Sequence, residues 1–369
     1  MKKEASIMSN MIQIIVWGFL IIAVLFAGVQ PAGAQEKVKF GTGSSISLTS
    51  APLTMAIGMG FFKEEGLDVE VIPFKGGSGV LIPQIVNKNI MIGFPTLDVM
   101  IVARQPGRDY LPLKFFYNMT RTSIFEVVVL ENSPIKGLLD LKGKTMGVGS
   151  LSWGSIPIAK AMFKEEGMEV GKDVELIAVG MGQGAYQALI SGRVSALYLF
   201  DVPHAELESL GTKIRRLPLK EKYDNLGSNS LIAHEDTIKS QGKTLIRFGR
   251  AIAKGTIASD ANTPAAVKMF WKYYPELKPT QGTEEERIDK AVKVLRARLK
   301  RMLSFPAGSP RNFGEFPNKM WKDYVEILHV GGQISTTDIP LNTLYTNEFV
   351  PGFNDFDVTK VVRAANDLK

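Results

Sequence analysis

Phe62-Lys63-Glu64-Glu65-Gly66-Leu67 returns as Phe163-Lys164-Glu165-Glu166-Gly167-Met168, 101 residues further on. After four extra residues, Glu169 to Lys172, the spacing becomes 105, and Asp68-Val69-Glu70-Val71-Ile72 pairs with Asp173-Val174-Glu175-Leu176-Ile177. The match then runs on without a gap, Ser78-Gly79-Val80-Leu81-Ile82-Pro83-Gln84-Ile85 against Gln183-Gly184-Ala185-Tyr186-Gln187-Ala188-Leu189-Ile190. Upstream, Ser50-x-Pro52 stands at the same 105-residue spacing from Ser155-x-Pro157. Two copies of one unit are present, so whatever one copy folds into, the other repeats.

Each copy reads strand, loop, helix, strand, loop, helix, strand. In the first, Val38–Thr42 is a short strand, Pro52–Lys63 a helix and Val69–Pro73 an alternating strand; Gly76-Gly77-Ser78-Gly79 then opens a helix over Val80–Asn87, and Ile90–Gly93 is the next strand. The second runs Thr145–Val148, Pro157–Glu166, Val174–Ala178, the turn Gly180–Gly184, Ala185–Ser191 and Ala196–Phe200. Strands alternating with helices of about ten residues imply parallel βαβ units, one α/β lobe per copy. Ser50 and Ser155 are placed as helix N-caps, with a proline two residues later where a missing N–H costs little. Both helices start where a strand has just ended, and ligands of open α/β sheets bind at that carboxyl edge.

After the second copy, Leu231–Ala233 reads as a strand crossing back, followed by amphipathic helices over Asp236–Ala258, Pro264–Tyr274 capped by Thr263, Glu284–Met302 and Pro317–His329. The expected fold is therefore a two-lobed α/β protein with two inter-lobe crossovers, near Tyr117–Ser123 and Gly227–Ser230. Residues 35–120 and 231–369 form lobe one, and residues 121–230 form lobe two.

The N-terminal segment is read separately. Lys2 and Lys3 precede an apolar run from Met11 to Val29, and Pro31-Ala32-Gly33-Ala34 puts small residues at the −3 and −1 positions. That is the layout of a secretory signal peptide cleaved after Ala34. An uncleaved anchor is the alternative, because the run approaches the roughly 20 residues that span a bilayer. The mature chain, starting at Gln35, has no Cys at which an N-terminal lipid could be attached, which points to the periplasm.

Composition closes off several functions. The 369 residues carry no Cys and three His, at 204, 234 and 329. Disulfides, thiolate nucleophiles, zinc–thiolate sites and iron–sulfur clusters are excluded, and no two His are spaced as metal ligands on one helix face. No cofactor is expected. The net charge of +7 is mild for this length, and no basic block interleaves with aromatics, which argues against nucleic-acid binding. Lys142-Gly143-Lys144-Thr145 and Gln241-Gly242-Lys243-Thr244 contain Gly-Lys-Thr, but the glycine a P-loop needs five positions earlier is Leu138 in one and Thr237 in the other. Gly180-x-Gly182-x-Gly184 lacks the spacing of a dinucleotide fingerprint.

Gly60-Phe61-Phe62-Lys63-Glu64-Glu65-Gly66-Leu67-Asp68-Val69-Glu70, with Gly76-Gly77-Ser78, Asn132-Ser133-Pro134-Ile135-Lys136, Asp140-Leu141-Lys142-Gly143-Lys144 and Tyr345-Thr346-Asn347-Glu348-Phe349, resembles the substrate-binding proteins of ABC importers. The likeness is to the sulfonate/taurine/nitrate-binding group related to thiamine-pyrimidine synthases, and it covers about residues 37–350. The resemblance implies a periplasmic-binding-protein type II fold, no catalysis, and a monomer that delivers a small molecule to an inner-membrane ABC permease. A sensory or tripartite-transporter binding subunit shares the fold. A pyrimidine-synthase relative would carry a Cys-rich motif, which this chain lacks.

The resemblance also implies ligand contacts at the strand ends. In lobe one they are Ser44, Ser45, Thr49 and Ser50, then Gly77 and Ser78, then Phe94 and Thr96. In lobe two they are Ser150, Ser152 and Trp153, then Met181, then Phe200, Asp201 and His204. His204 stands where relatives often have an aromatic, and Arg121 lies near the first crossover. Helix starts favour an electron-rich head group, while Trp153, Phe94 and Phe200 are faces for a flat body. An aromatic or heterocyclic acid, or a neutral heterocycle, is the expected cargo. His234 is expected to be structural, Trp271 and Trp321 to pack in the core, and the Lys-Glu-Glu runs to be solvated helix ends.

Overall fold

Ten strands gather into two five-stranded sheets in the computed structural model, which describes residues 35–43, 46–74 and 77–368. The signal segment and its cleavage site, Ser44, Ser45 and Gly76 lie outside the described residues. From Lys37 onward the chain is one compact unit.

The first sheet is ordered β2-β1-β3-β10-β4, with β1 at Glu36–Thr42, β2 at Leu67–Pro73, β3 at Ile92–Phe94, β4 at Leu113–Tyr117 and β10 at Leu231–His234. The second is ordered β7-β6-β8-β5-β9, with β5 at Phe125–Leu130, β6 at Lys144–Val148, β7 at Val174–Ala178, β8 at Ala196–Phe200 and β9 at Ile214–Arg216. The sheets share one plan. β1 runs parallel to β3, as β6 does to β7 and β8, so their carboxyl ends share an edge. An antiparallel strand follows in each, β10 beside β3 and β5 beside β8. The chain passes from the first sheet to the second between Tyr117 and Phe125 and returns between Arg216 and Leu231, which makes the two expected crossovers.

The repeat is visible in the backbone. Gly77 and Gly182, at the 105-residue spacing, both precede helices with positive φ, +72° and +67°. Gly66 and Gly167, at the 101-residue spacing, follow helices after the Lys-Glu-Glu runs, also with positive φ, +70° and +72°. These left-handed turns need glycine, because a Cβ would crowd the backbone.

Three details differ from the sequence reading. The helix expected over 52–63 is two, Ala51–Gly58 and Phe61–Glu64, because Gly60 takes φ +79° between them. The 236–258 helix is also two, Glu235–Ser240 and Gly242–Ala261. Capping is carried by other residues: Asn262, not Thr263, accepts from the Ala265 N–H, Ser50 makes no side-chain cap bond, and Ser155 lies one residue inside its helix, after Gly154. Trp271 and Trp321 are buried as expected.

One apolar core contains residues of both sheets. Leu81, Ile85 and Leu97 from the first half join Val127, Met146 and Tyr198 from the second through Met320, Trp321 and Tyr324 of the Asn318–Val330 helix. That helix packs on the Ser155–Glu165 helix, and the Glu284–Met302 helix packs on the Asp201–Ser209 helix. The late helices thus brace the second sheet as well as the first.

Candidate functional site

The loops after β1, β2 and β3 and those after β6, β7 and β8 carry the expected contacts. In the first set, Ser47 Oγ and Thr49 Oγ1 lie 2.9 Å apart, in and before the 3₁₀ turn Leu48–Ser50. The Gly77 N–H donates to Gly43 O at 2.9 Å, which ties two loops together. Ser78 Oγ lies 3.3 Å from Thr96 Oγ1, so the second and third loops are joined by side chains as well. The Phe94 carbonyl accepts from Asn229 Nδ2 at 3.3 Å, and its ring centroid is 6.3 Å from that of Phe40.

In the second set, Ser150 Oγ and Ser152 Oγ lie 2.9 Å apart on an exposed turn. Trp153 and Phe200 form a tilted aromatic pair at 6.1 Å, which brings the loops after β6 and β8 together. The Trp153 indole lies flat on Gly149, where a Cβ would come within 2.0 Å of the ring. Trp153 also packs against two apolar clusters, so it belongs partly to the core. Large apolar side chains stand exposed on these loops, Leu151 at 55% and Met181 at 53%, and Val80, in the first turn of the Ser78–Val86 helix, is 43% exposed. Burying such groups against a ligand is favourable at roughly 25 cal/mol per Å2.

Three expected contacts are engaged by protein. Asp201 is buried and receives two bonds from Arg298, Nε to Oδ2 at 2.8 Å and Nη2 to Oδ1 at 2.6 Å. His204 is fully buried, with Nδ1 3.2 Å from Glu126 Oε2. Arg121 is half-buried at the crossover, where it donates to the Asn312 carbonyl at 3.3 Å and covers the Phe305 ring at 4.4 Å.

A family model described as NMT1/THI5 like matches residues 47–266, more than half of the chain. The chain belongs to the NMT1/THI5-like family. Among curated proteins it is 23% identical to the riboflavin-binding protein RibY of Chloroflexus aurantiacus over 82% of each chain. It is 25% identical to the 4-amino-5-hydroxymethyl-2-methylpyrimidine phosphate synthase of Aspergillus parasiticus, over 88% of this chain and 91% of that protein. Among solved structures, the periplasmic aliphatic sulphonate binding protein SsuA from Escherichia coli superposes with a TM-score of 0.59 at 16% identity, covering 81% of this chain and 87% of that one. The fold is that of the periplasmic binding proteins.

Sequence reasoning missed the charged groups that organise the second half of this NMT1/THI5-like chain. Glu126 on β5 accepts from Arg216 Nε at 2.9 Å and from Arg301, besides its contact with His204. Burial pushes its pKa up, but the bond and charge of His204 and the charges of Arg216 and Arg301 outweigh that and hold it at about 2. Arg298 lies over the Phe200 ring at 5.9 Å. Arg298 and Arg301 come from one helix, three residues apart, so that helix is fastened to the second half by two ion pairs. In the first half, Asp98 opens the Asp98–Ala103 helix two residues after Thr96, and burial raises its pKa. Among the described residues no group of three or more His, Cys, Asp or Glu could hold a metal ion.

Two open hollows lie away from these loops. One of about 500 Å3 is lined by Leu139, Met162, Pro218 and Tyr223, and one of about 860 Å3 by Gln241, Lys243, Glu348 and Phe349.

Proposed function

We propose that this chain is an exported solute-binding protein that takes a small aromatic or heterocyclic molecule between two lobes and hands it to an inner-membrane ABC permease. The reading supposes cleavage after Ala34, a periplasmic monomer, and lobes formed by residues 35–120 with 231–369 and by residues 121–230. No residue is assigned a catalytic role; the chain contains no Cys for thiolate or iron–sulfur chemistry.

The observation that supports this best is the coexistence, on loops and helix starts at matching sheet edges, of exposed apolar side chains with short-range polar pairs. Leu151, Met181 and Val80 stand open, the Trp153–Phe200 pair and Phe94 offer ring faces, and the Ser78–Thr96 and Ser150–Ser152 pairs offer hydroxyls. A site with apolar walls and a few placed polar groups suits a flat organic ligand. Ligand contact with both halves favours the closed arrangement, which is how a hinge couples binding to recognition by a permease.

The test is a thermal-shift screen of the purified protein against sulfonates, nitrate, pyrimidines, flavins, and aromatic and aliphatic carboxylates, with mass spectrometry of the denatured preparation. A ligand that binds only the folded state raises the melting temperature by mass action. A shift with one class, or a retained small molecule, supports the reading; the absence of both refutes it.

A further inference from the structure

Asp98 is half-buried, yet its Oδ1 is sealed from solvent and has no hydrogen-bond partner among the described residues. Burial raises its pKa, while the Thr96 hydroxyl and its own backbone N–H pull it down. Facing it is Gly154, where a Cβ would lie 3.0 Å from each carboxyl oxygen and 3.1 Å from Cγ. Gly154 has φ −59°, which any residue adopts, so the site needs glycine for space and not for torsion. The next residue, Ser155, is 1% exposed, and its Oγ has no partner either. Asp98 follows β3 of the first sheet, whereas Gly154 and Ser155 follow β6 of the second. Two unsatisfied polar atoms therefore lie where the two halves of the chain meet, beside Trp153 and the Ser78–Thr96 pair. Buried polar atoms are ordinarily bonded, and these two leave open valences that a water or a ligand donor can fill.

Resting on the binding-protein reading above, we propose that Asp98 is a specificity-determining residue of the cleft: its carboxyl accepts from an N–H or amino group of a heterocyclic ligand and discriminates against sulfonates. An ionised carboxyl accepts only, and a protonated one keeps an accepting oxygen, so an N–H donor suits both. A sulfonate would instead set a second anion beside Asp98 in a dehydrated site. The guanidinium near Phe200 does not offset this, because Arg298 already has Asp201 as its counter-ion. Gly154 lets the second half close over the carboxyl.

The experiment is isothermal titration of the purified protein, wild type, Asp98→Asn, Asp98→Ala and Gly154→Ala, with 4-amino-2-methylpyrimidine, riboflavin and methanesulfonate. Wild type is expected to bind at least one of the two donor-bearing probes and not methanesulfonate. Asp98→Ala should weaken that probe about tenfold or more, the effect of losing one charge-assisted hydrogen bond. Asp98→Asn, which keeps one acceptor, should weaken it less. Gly154→Ala, which keeps the carboxyl, should weaken it by obstructing closure. Melting temperatures establish that each variant is folded, and the isosteric Asn variant carries the test should the Ala variant fail to fold. Unchanged affinity in the Asp98 variants, binding of methanesulfonate to wild type, or binding of neither donor probe overturns the proposal. If a retained or screened ligand without N–H donors is then found, the binding-protein reading stands and only the role of Asp98 falls; if no ligand of any class is found, both fall.

Discussion

Replacing Arg298 with Met should destabilise the protein by about 3–5 kcal/mol, the typical penalty for stranding one member of a buried ion pair. Its partner is deeply enclosed: the Asp201 side chain is 2% exposed and the Arg298 side chain 9%. Both donors of the fork are in bonding range, at 2.8 and 2.6 Å, so truncating the guanidinium removes both bonds to the buried carboxylate at once. At about 2 °C per kcal/mol for a chain of this size, the melting temperature should fall by about 6–10 °C. Urea denaturation followed by far-UV circular dichroism gives the free energy directly. Asp201→Asn should cost a similar amount by leaving the guanidinium without its counter-charge, while retaining an acceptor for the Val202 N–H, now 2.9 Å from Oδ1. The double variant Asp201→Asn/Arg298→Met should then cost clearly less than the sum, because neither residue strands the other. Additivity within about 0.5 kcal/mol would refute the pairing argument. The guanidinium also lies over Phe200, so either single variant should loosen the Trp153–Phe200 pair and lower ligand affinity.

The remaining predictions concern acid stability, the aromatic loop and a helix cap. Glu126 is held at about 2, below the ordinary 4.5 of a glutamate, so its contribution is complete above pH 4.5 and disappears as the pH falls toward 2. Its side chain is 8% exposed, and a shift of this size is worth about 3 kcal/mol at neutral pH. Urea midpoints of wild type should therefore fall more steeply between pH 5 and 2.5 than those of Glu126→Gln; parallel profiles would refute it. Gly149→Ala should push the indole of Trp153 off its seat, changing tryptophan emission and near-ultraviolet circular dichroism with the far-ultraviolet spectrum unchanged. Identical emission would mean the ring is not seated on Gly149. Asn262→Ala should cost about 2 kcal/mol, since it removes a cap to Ala265 together with Nδ2 bonds to the Ala365 and Leu368 carbonyls at 3.0 and 3.2 Å. A loss below about 0.5 kcal/mol would show that other donors replace them.

The repeat made three of the five strands of each sheet legible, because glycine-terminated helices and alternating strands are local signals. β4, β5 and β9 were not legible. Val127, Val128 and Val129 of β5 are all fully buried, so the strand has no polar face to produce alternation. The candidate loop residues were read off the strand ends, and that reading stopped at Thr96, two residues before Asp98, because a lone Asp opening a short helix carries no local signal. Glu65 and Glu165, read as solvated, are instead held by basic residues, Arg250 and Lys254 in one copy and Lys220 and Lys222 in the other. Nothing local could have assigned Asp201 to Arg298, 97 residues away, or Glu126 to Arg301, 175 away. Partners at such separations are fixed by the packing of the Glu284–Met302 helix, which lies outside both repeats.

The two copies nevertheless diverge in a way that bears on how a ligand is read. At the 105-residue spacing Thr96 corresponds to Asp201. In the second copy the carboxyl at this place is neutralised within the protein by Arg298, and it fixes the helix that follows β8 and the adjacent Phe200. In the first copy the place is taken by a hydroxyl bonded to Ser78, and the carboxyl is displaced two residues, to Asp98, where no basic group reaches its buried oxygen. One half thus neutralises its carboxyl within the protein, while the other leaves Asp98 Oδ1 without a partner among the described residues. In the proposed binding role, that division would suit a receptor that closes on its ligand. A preformed aromatic wall costs little to organise when a ligand arrives, and under the proposal the one unpartnered oxygen of Asp98 favours only a ligand able to donate to it. If Asp98→Asn binds every class of ligand as wild type does, that division of labour is wrong, and the discrimination has to come from the shape of the aromatic wall alone.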